Sequence, residues 1–330
     1  MKRVLVNRAS IYGLMAVWIM LFHIQGFAGI PLPFLSNYPL SSIISLGFVG
    51  VDVFMFLSGY CLTLSYTKYK RVSDFYNKRL KKILIPYIFI ATPFLIWKNC
   101  VTLDVDITNR LSRFMSDLSG FSFIHEGMDW TWFVFAILLL YAMFPLLYSV
   151  CKSGGGKSVI FLVLIFALIH LCYTYIPEDI ISHRFAIAYC RIPIFYIGIM
   201  CALYLHKIEN ELYRTVICIA LSIIIFLIIY FFSKYYPVQY NNIFEGRIWL
   251  RFIPYVLPIC YIGGWIKLPL INKLGDISLE MYLIHIFILN LFMHYHYCDI
   301  LGSWCYLIVP IVTIISSICV SNITKKIINQ

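Results

Sequence analysis

Apolar runs of spanning length follow one another along the chain, at about 11 to 30, 42 to 66, 83 to 101, 130 to 148, 158 to 176, 185 to 205, 215 to 233, 250 to 266, 276 to 295 and 304 to 320. Each is close to the roughly twenty residues a helix needs to cross about 30 Å of hydrocarbon. A bilayer core has no water to satisfy open backbone groups, so a single run of this length is stable there as an α-helix. The pattern predicts an all-α integral membrane protein: a bundle of about ten transmembrane helices forming one membrane-embedded domain over residues 1 to 330. The polar stretches between the runs are too short for a separate globular domain, so no appended soluble domain is expected.

Composition agrees and fixes an orientation. Hydrophobic residues make up 62% of the chain and charged ones 12%, with a mean hydropathy of +0.86, which excludes a soluble core of this length. Most of the 26 Lys and Arg residues fall on one side of the ten-span pattern, among them Lys68, Lys70, Arg71, Lys78, Arg79, Lys81 and Lys82 in a single loop. The positive-inside rule makes that side cytoplasmic and places both termini there. The net charge of +11 is thereby read as topology, with no nucleic-acid partner. Acids such as Asp104, Asp117, Glu126, Glu178 and Asp299 collect on the opposite side, where Trp130, Trp132, Trp249 and Trp304 also fall near span ends.

Several features are read as bland. Lys2 and Arg3 before an apolar stretch resemble a signal sequence, but that stretch lacks a small-residue cleavage site and is expected to stay as a helix. Eleven cysteines lie mostly in apolar runs without the short paired spacing of a metal or redox motif, so no metal is expected. Cys298 and Cys305 flank an outer loop, and their pairing is left open. Gly154 to Gly156 make a flexible inner turn without the Walker spacing.

Ionisable groups inside the runs carry the functional expectation, because a bilayer tolerates them only where they are paired, wetted or used. His23 lies about thirteen residues, roughly 20 Å, from the inner edge of the first run. Asp52 falls at a broadly similar depth in the second, within GFVGVDVFMFLSGY. A carboxylate beside that imidazole would fix its tautomer and support the proton it takes up, as a general base requires. Local hydrogen bonding between helices is the plainer reading of both. Ser58 and Gly59 follow, small residues that let helices approach closely.

Arg8 stands fifteen positions before His23, about 22 Å along a continuous helix, at the cytoplasmic edge. A basic mouth leading towards a buried base suits coenzyme A, with its anionic nucleotide and long thin arm. Arg79 and Lys82 could add phosphate contacts, although topology signalling or contact with membrane-lipid head groups explains such residues too. Arg191 and His285 are costly to bury alone; each is either structural or part of the site. His125, Glu126 and Asp129 would either bind a polar acceptor or belong to a solvated outer loop.

The chain resembles the acyltransferase-3 family of multispanning bacterial membrane proteins. The resemblance is carried by the histidine ending WIMLFH, by GFVGVDVFMFLSGY, by FYNKRLKKILIPY, by WTWFVFAILLLYAMFPLLY, which contains Trp132, by RIPIFYIGI and by LGDISLEMYLIH. It implies transfer of an acyl group, commonly acetyl from cytoplasmic acetyl-coenzyme A, to carbohydrate on or beyond a bacterial cytoplasmic (inner) membrane: capsule, O-antigen or another surface glycan. It makes His23 the essential histidine, Asp52 and Ser58 the second-span signature, and Arg79 with Lys82 the basic pair. The family usually has a cation eleven positions before the histidine, where this chain has Tyr12; Arg8, one turn earlier on nearly the same face, is expected to serve instead.

Together these expectations give His23 as base, oriented by Asp52, acyl-coenzyme A anchored by Arg8, Arg79 and Lys82, and Arg191, His285, Ser58 and Trp132 binding substrate or supporting the site. The alternative from another class is a transporter or flippase of lipid-linked sugars, in which intramembrane charges bind cargo and no bond is made.

Overall fold

The computed structural model describes residues 2–30, 39–102, 107–126, 130–176, 185–235, 253–266 and 268–328. Among the described residues there is no strand, and all ten apolar runs carry helix. The principal helices are α1 (Arg8–Phe27), α2 (Val49–Tyr66), α3 (Val72–Trp97), α4 (Trp132–Lys152), α5 (Gly155–Tyr175) and α6 (Ile192–Met200), the last continued by a wider π turn at Cys201–Leu205. They are followed by α7 (Glu211–Tyr235), α8 (Ile253–Gly263), α9 (Pro269–Gly275), α10 (Ser278–His294) and α11 (Cys305–Ile328). Seven spans among the described residues are long and apolar enough to cross a membrane, and the pair α9 and α10, bent by 75°, makes an eighth if it is one span. The protein is an all-α membrane protein. Part of the polar stretch from 102 to 129 is helical as well, at Ile107–Ser119 and Phe121–Glu126.

Contacts divide the chain into two compact units, one of residues 1–6, 52–76 and 120–265 and the other of 7–51, 77–119 and 266–330. In the first unit, α2 and α6 meet through two glycines. A Cβ on Gly59 would lie 2.2 Å from the Phe195 carbonyl oxygen, and one on Gly198 would lie 2.3 Å from that of Phe56. No side chain fits at either position, so the two backbones touch. Aromatic side chains fill the space beside this seam: Phe75 stacks on Phe144, and Tyr66 meets the edges of Phe75, Phe144 and Tyr148.

The second unit is built on α1. A Cβ on Gly13 would lie 2.3 Å from the Ile271 carbonyl oxygen, and one on Gly275 would be driven into the Ala9 backbone, so α9 lies directly on the first half of α1. Ser10 donates a hydrogen bond to Asn272 across that contact. On another side of α1, Gly47 and Gly50 of GFVGVD approach the backbones of Trp18 and Met15, and the Trp18 indole donates to the Ile43 carbonyl at 2.7 Å. At Asp276 and Ile277 the chain turns from α9 into α10, which packs on α1 and α11. The buried face of α11 is marked by Thr313, Ser317, Ser321 and Thr324, small residues of the kind that let membrane helices approach. Asp117, buried on the helix Ile107–Ser119, is held by Lys98 at 3.2 Å and Arg113 at 3.4 Å. Cys298 and Cys305 are both free thiols and share a sulfur hydrogen bond.

Candidate active site

In the first unit the helix seam positions a buried ion pair. Asp52 stands seven residues before Gly59 on α2, and Arg191 stands seven residues before Gly198, at the start of α6. Seven residues are nearly two turns, about 10.5 Å, so a parallel pair locked at the glycines brings these two side chains to one level. Arg191 Nε lies 3.2 Å from Asp52 Oδ1, and the two side chains are 1% and 2% exposed. The guanidinium lies over the Trp132 ring, 4.7 Å from its centroid, and donates to the Ile187 carbonyl. Ser58 is half-buried beside Gly59 and makes none of these contacts.

Asp52, expected beside an imidazole, therefore takes a guanidinium as its partner. The cause is energetic: a permanently charged arginine buried without a counter-charge costs several kcal/mol, whereas a neutral imidazole does not. Its other oxygen, Oδ2, is buried and accepts no hydrogen bond among the described residues.

In the second unit His23 has a different companion. Its Nδ1 lies 2.8 Å from Nε2 of His285 on α10, with ring centroids 4.9 Å apart. His285 is 1% exposed and His23 is half-buried. On its far side, His285 Nδ1 lies 3.0 Å from the Met281 carbonyl oxygen. The Phe22, Phe27 and Tyr282 rings pack around the two imidazoles. Such a pair can accept, hold and return a proton.

Cations gather lower in the same unit. Lys82 lies in the field of Arg79, Glu280, Arg8 and Lys325, while Glu280 interacts with Ser321, Lys325 and Lys82. Glu280 is buried, whereas Arg8, Lys82 and Lys325 remain exposed and Arg79 is half-buried. Among the described residues these four cations outnumber the buried acid beside Lys82 and Lys325, a local positive field that attracts anions. Glu280 precedes His285 by five residues, about 7.5 Å along α10, and Arg8 precedes His23 by about 22 Å along the unbroken α1. Tyr12 is half-buried, one turn after Arg8.

The structure thus brings Arg8, Arg79 and Lys82 together, joins His23 to His285, and joins Asp52 to Arg191 and Trp132. Glu280 and Lys325 were not singled out from sequence: the former lay inside LGDISLEMYLIH, and the latter read as an ordinary inner-end lysine. The side chains of His125 and Glu126, and the whole of Asp129, lie outside the described residues. Among the described residues no group of His, Cys, Asp and Glu is arranged to hold a metal ion.

A family model described as an acyltransferase domain, that of the acyltransferase-3 type, matches residues 13–323. No curated protein matches the chain, and no solved structure does.

Proposed function

The chain belongs to the acyltransferase-3 family and is a multispanning membrane acyltransferase, and from that premise we propose that it is an O-acyltransferase of surface carbohydrate, with His23 as its general base. The donor is acyl-coenzyme A, most simply acetyl-coenzyme A, arriving from the cytoplasm. The acceptor is a hydroxyl of an extracytoplasmic or lipid-linked polysaccharide, and the host membrane is the bacterial cytoplasmic membrane. The supporting observation is that one compact unit carries an open cationic cluster and, farther along the same helices, a paired imidazole.

The nucleotide phosphates of the donor are held by Arg8, Arg79, Lys82 and Lys325 through charge-assisted hydrogen bonds. The thin arm then follows α1 and α10 towards His23 and brings the thioester to the imidazole. His23 removes the acceptor hydroxyl proton as the oxygen attacks the thioester carbonyl carbon. In the other unit, Asp52 holds Arg191 in place over Trp132.

The test is ester-linked acyl content of surface glycan, measured by NMR in cells with the intact protein and with His23→Ala at equal expression. The ester signal should disappear with the substitution. Equal ester content in both would refute the assignment.

A further inference from the structure

Granted His23 as the base of the proposed transfer, we infer that His285 is a positioning residue that fixes the Nδ1–H tautomer of His23, so that Nε2 of His23 is the atom that takes the acceptor's proton. The chain of reasoning starts at Met281. Its carbonyl oxygen can only accept a hydrogen bond, so the nitrogen 3.0 Å away, His285 Nδ1, carries a hydrogen. A neutral imidazole has one N–H, which leaves a lone pair on His285 Nε2. That lone pair faces His23 Nδ1 at 2.8 Å, and two lone pairs cannot face each other at that distance. The hydrogen between the rings therefore belongs to His23 Nδ1, and the lone pair of His23 is on Nε2.

Accessibility gives the two histidines different work. His285 is sealed at 1% exposure with both nitrogens engaged, so it has no free atom to offer a substrate. His23 is half-buried, and with its hydrogen on Nδ1, within reach of both His285 Nε2 and the Ile19 carbonyl of its own helix, Nε2 is left for the acceptor. Met281 is residue i−4 to His285, so α10 itself sets the orientation of the second ring and, through it, that of the first. The Met281 carbonyl thus sets the His23 tautomer through a neutral imidazole, and the Ile19 carbonyl on α1, also an acceptor only, favours the same one.

The step balances without another reagent. The hydroxyl proton passes to His23 Nε2 as the oxygen bonds to the thioester carbon. The carbon–sulfur bond breaks, and the departing thiolate takes the proton from Nε2–H, returning His23 to its starting tautomer. While His23 is an imidazolium, its Nδ1–H bond to His285 Nε2 becomes charge-assisted, so His285 also lowers the energy of the charged intermediate.

The experiment uses membrane vesicles holding the full chain, with [14C]acetyl-coenzyme A as donor and the vesicles' own glycan as acceptor. It compares wild type, His23→Ala, His285→Leu and His285→Gln at equal expression. Leucine removes the acceptor atom; glutamine places a side-chain carbonyl oxygen where it can receive His23 Nδ1–H. The maximal rate of His285→Leu should fall by about 100-fold or more, the lower range of general-base contributions, with the KM for acetyl-coenzyme A within about twofold of wild type. His285→Gln should recover at least about a tenth of the wild-type rate. Magic-angle-spinning NMR of wild type labelled with 15N-histidine should show His23 protonated at Nδ1 and bare at Nε2.

A wild-type spectrum with His23 protonated at Nε2 overturns the inference even if His285→Leu fails to fold. So does His285→Leu retaining more than half the rate, or glutamine performing no better than leucine. The base assignment fails separately, through undiminished labelling in His23→Ala, whereas an inactive His23→Ala beside a fully active His285→Leu removes only the relay.

Discussion

Asp52→Ala should destabilise the protein far more than the double change Asp52→Leu with Arg191→Met. At 3.2 Å and an effective dielectric of about 20, the Asp52–Arg191 attraction is roughly 5 kcal/mol. Both side chains are almost wholly removed from solvent, so desolvation offsets much of that in the intact protein. The offset vanishes when one partner is deleted: Arg191 stays buried without the carboxylate 3.2 Å away, and loss of one member of such a pair costs about 3–5 kcal/mol. The Trp132 face beneath the guanidinium, worth about 2 kcal/mol in a dry setting, limits the loss without replacing the carboxylate.

The double variant has no charge to leave stranded and should lie near wild-type stability, since apolar replacement of a buried pair is often neutral or stabilising. The coupling energy between the two sites should then exceed about 2 kcal/mol. Unfolding in mixed micelles of increasing SDS fraction, followed by tryptophan fluorescence, measures all corners of the cycle. Additivity within about 0.5 kcal/mol, or a cost below about 1 kcal/mol for Asp52→Ala, would refute the reasoning. Vesicle acyl transfer by the stable double variant then separates the roles: full activity makes the pair a strut, and lost activity makes Arg191 part of the chemistry.

Lys325→Ala should raise the KM for acetyl-coenzyme A by about 2–5-fold, the scale of an exposed ion pair, and Glu280→Gln should lower it by removing a buried acid from the cluster. Both shifts should shrink in high salt, and vesicle kinetics at two ionic strengths would check this; unchanged KM values would remove the cluster from donor binding. Gly59→Leu should abolish folded protein in fluorescence-detected size exclusion, because its Cβ would fall 2.2 Å from a backbone oxygen. Gly155→Ala, with nothing within 4 Å, should not. Equal monomer peaks for the two would show that α2 and α6 are not in backbone contact.

The helices were legible because each apolar run carries its own signal, and the family resemblance was legible because its strings stand in order. Partners were not. His23 and His285 are 262 positions apart, and neither neighbourhood encodes the other. The sequence put Asp52 and His23 at similar expected depths on consecutive spans, which made them look like companions, but an expected depth says nothing about which face a residue takes. Arg191 decided the matter, since a buried guanidinium requires the nearest carboxylate more than an imidazole does. Lys325 was hidden for the opposite reason: a lysine at an inner helix end already has an explanation in topology, so nothing prompted a second one.

The glycines explain how separated residues come to share a level. In the first unit, Gly59 and Gly198 each stand seven residues after a charged residue, so the contact that locks the backbones also sets Asp52 opposite Arg191. In the second, Gly13 and Gly275 press α9 onto α1, and the 75° bend that follows carries α10 along α1 until His285 reaches His23. In both units the chemistry is placed by backbone-to-backbone approach, which leaves less rotational slack than interdigitated side chains. A substitution that merely separates these helices should therefore silence the site while every ionisable residue remains in place.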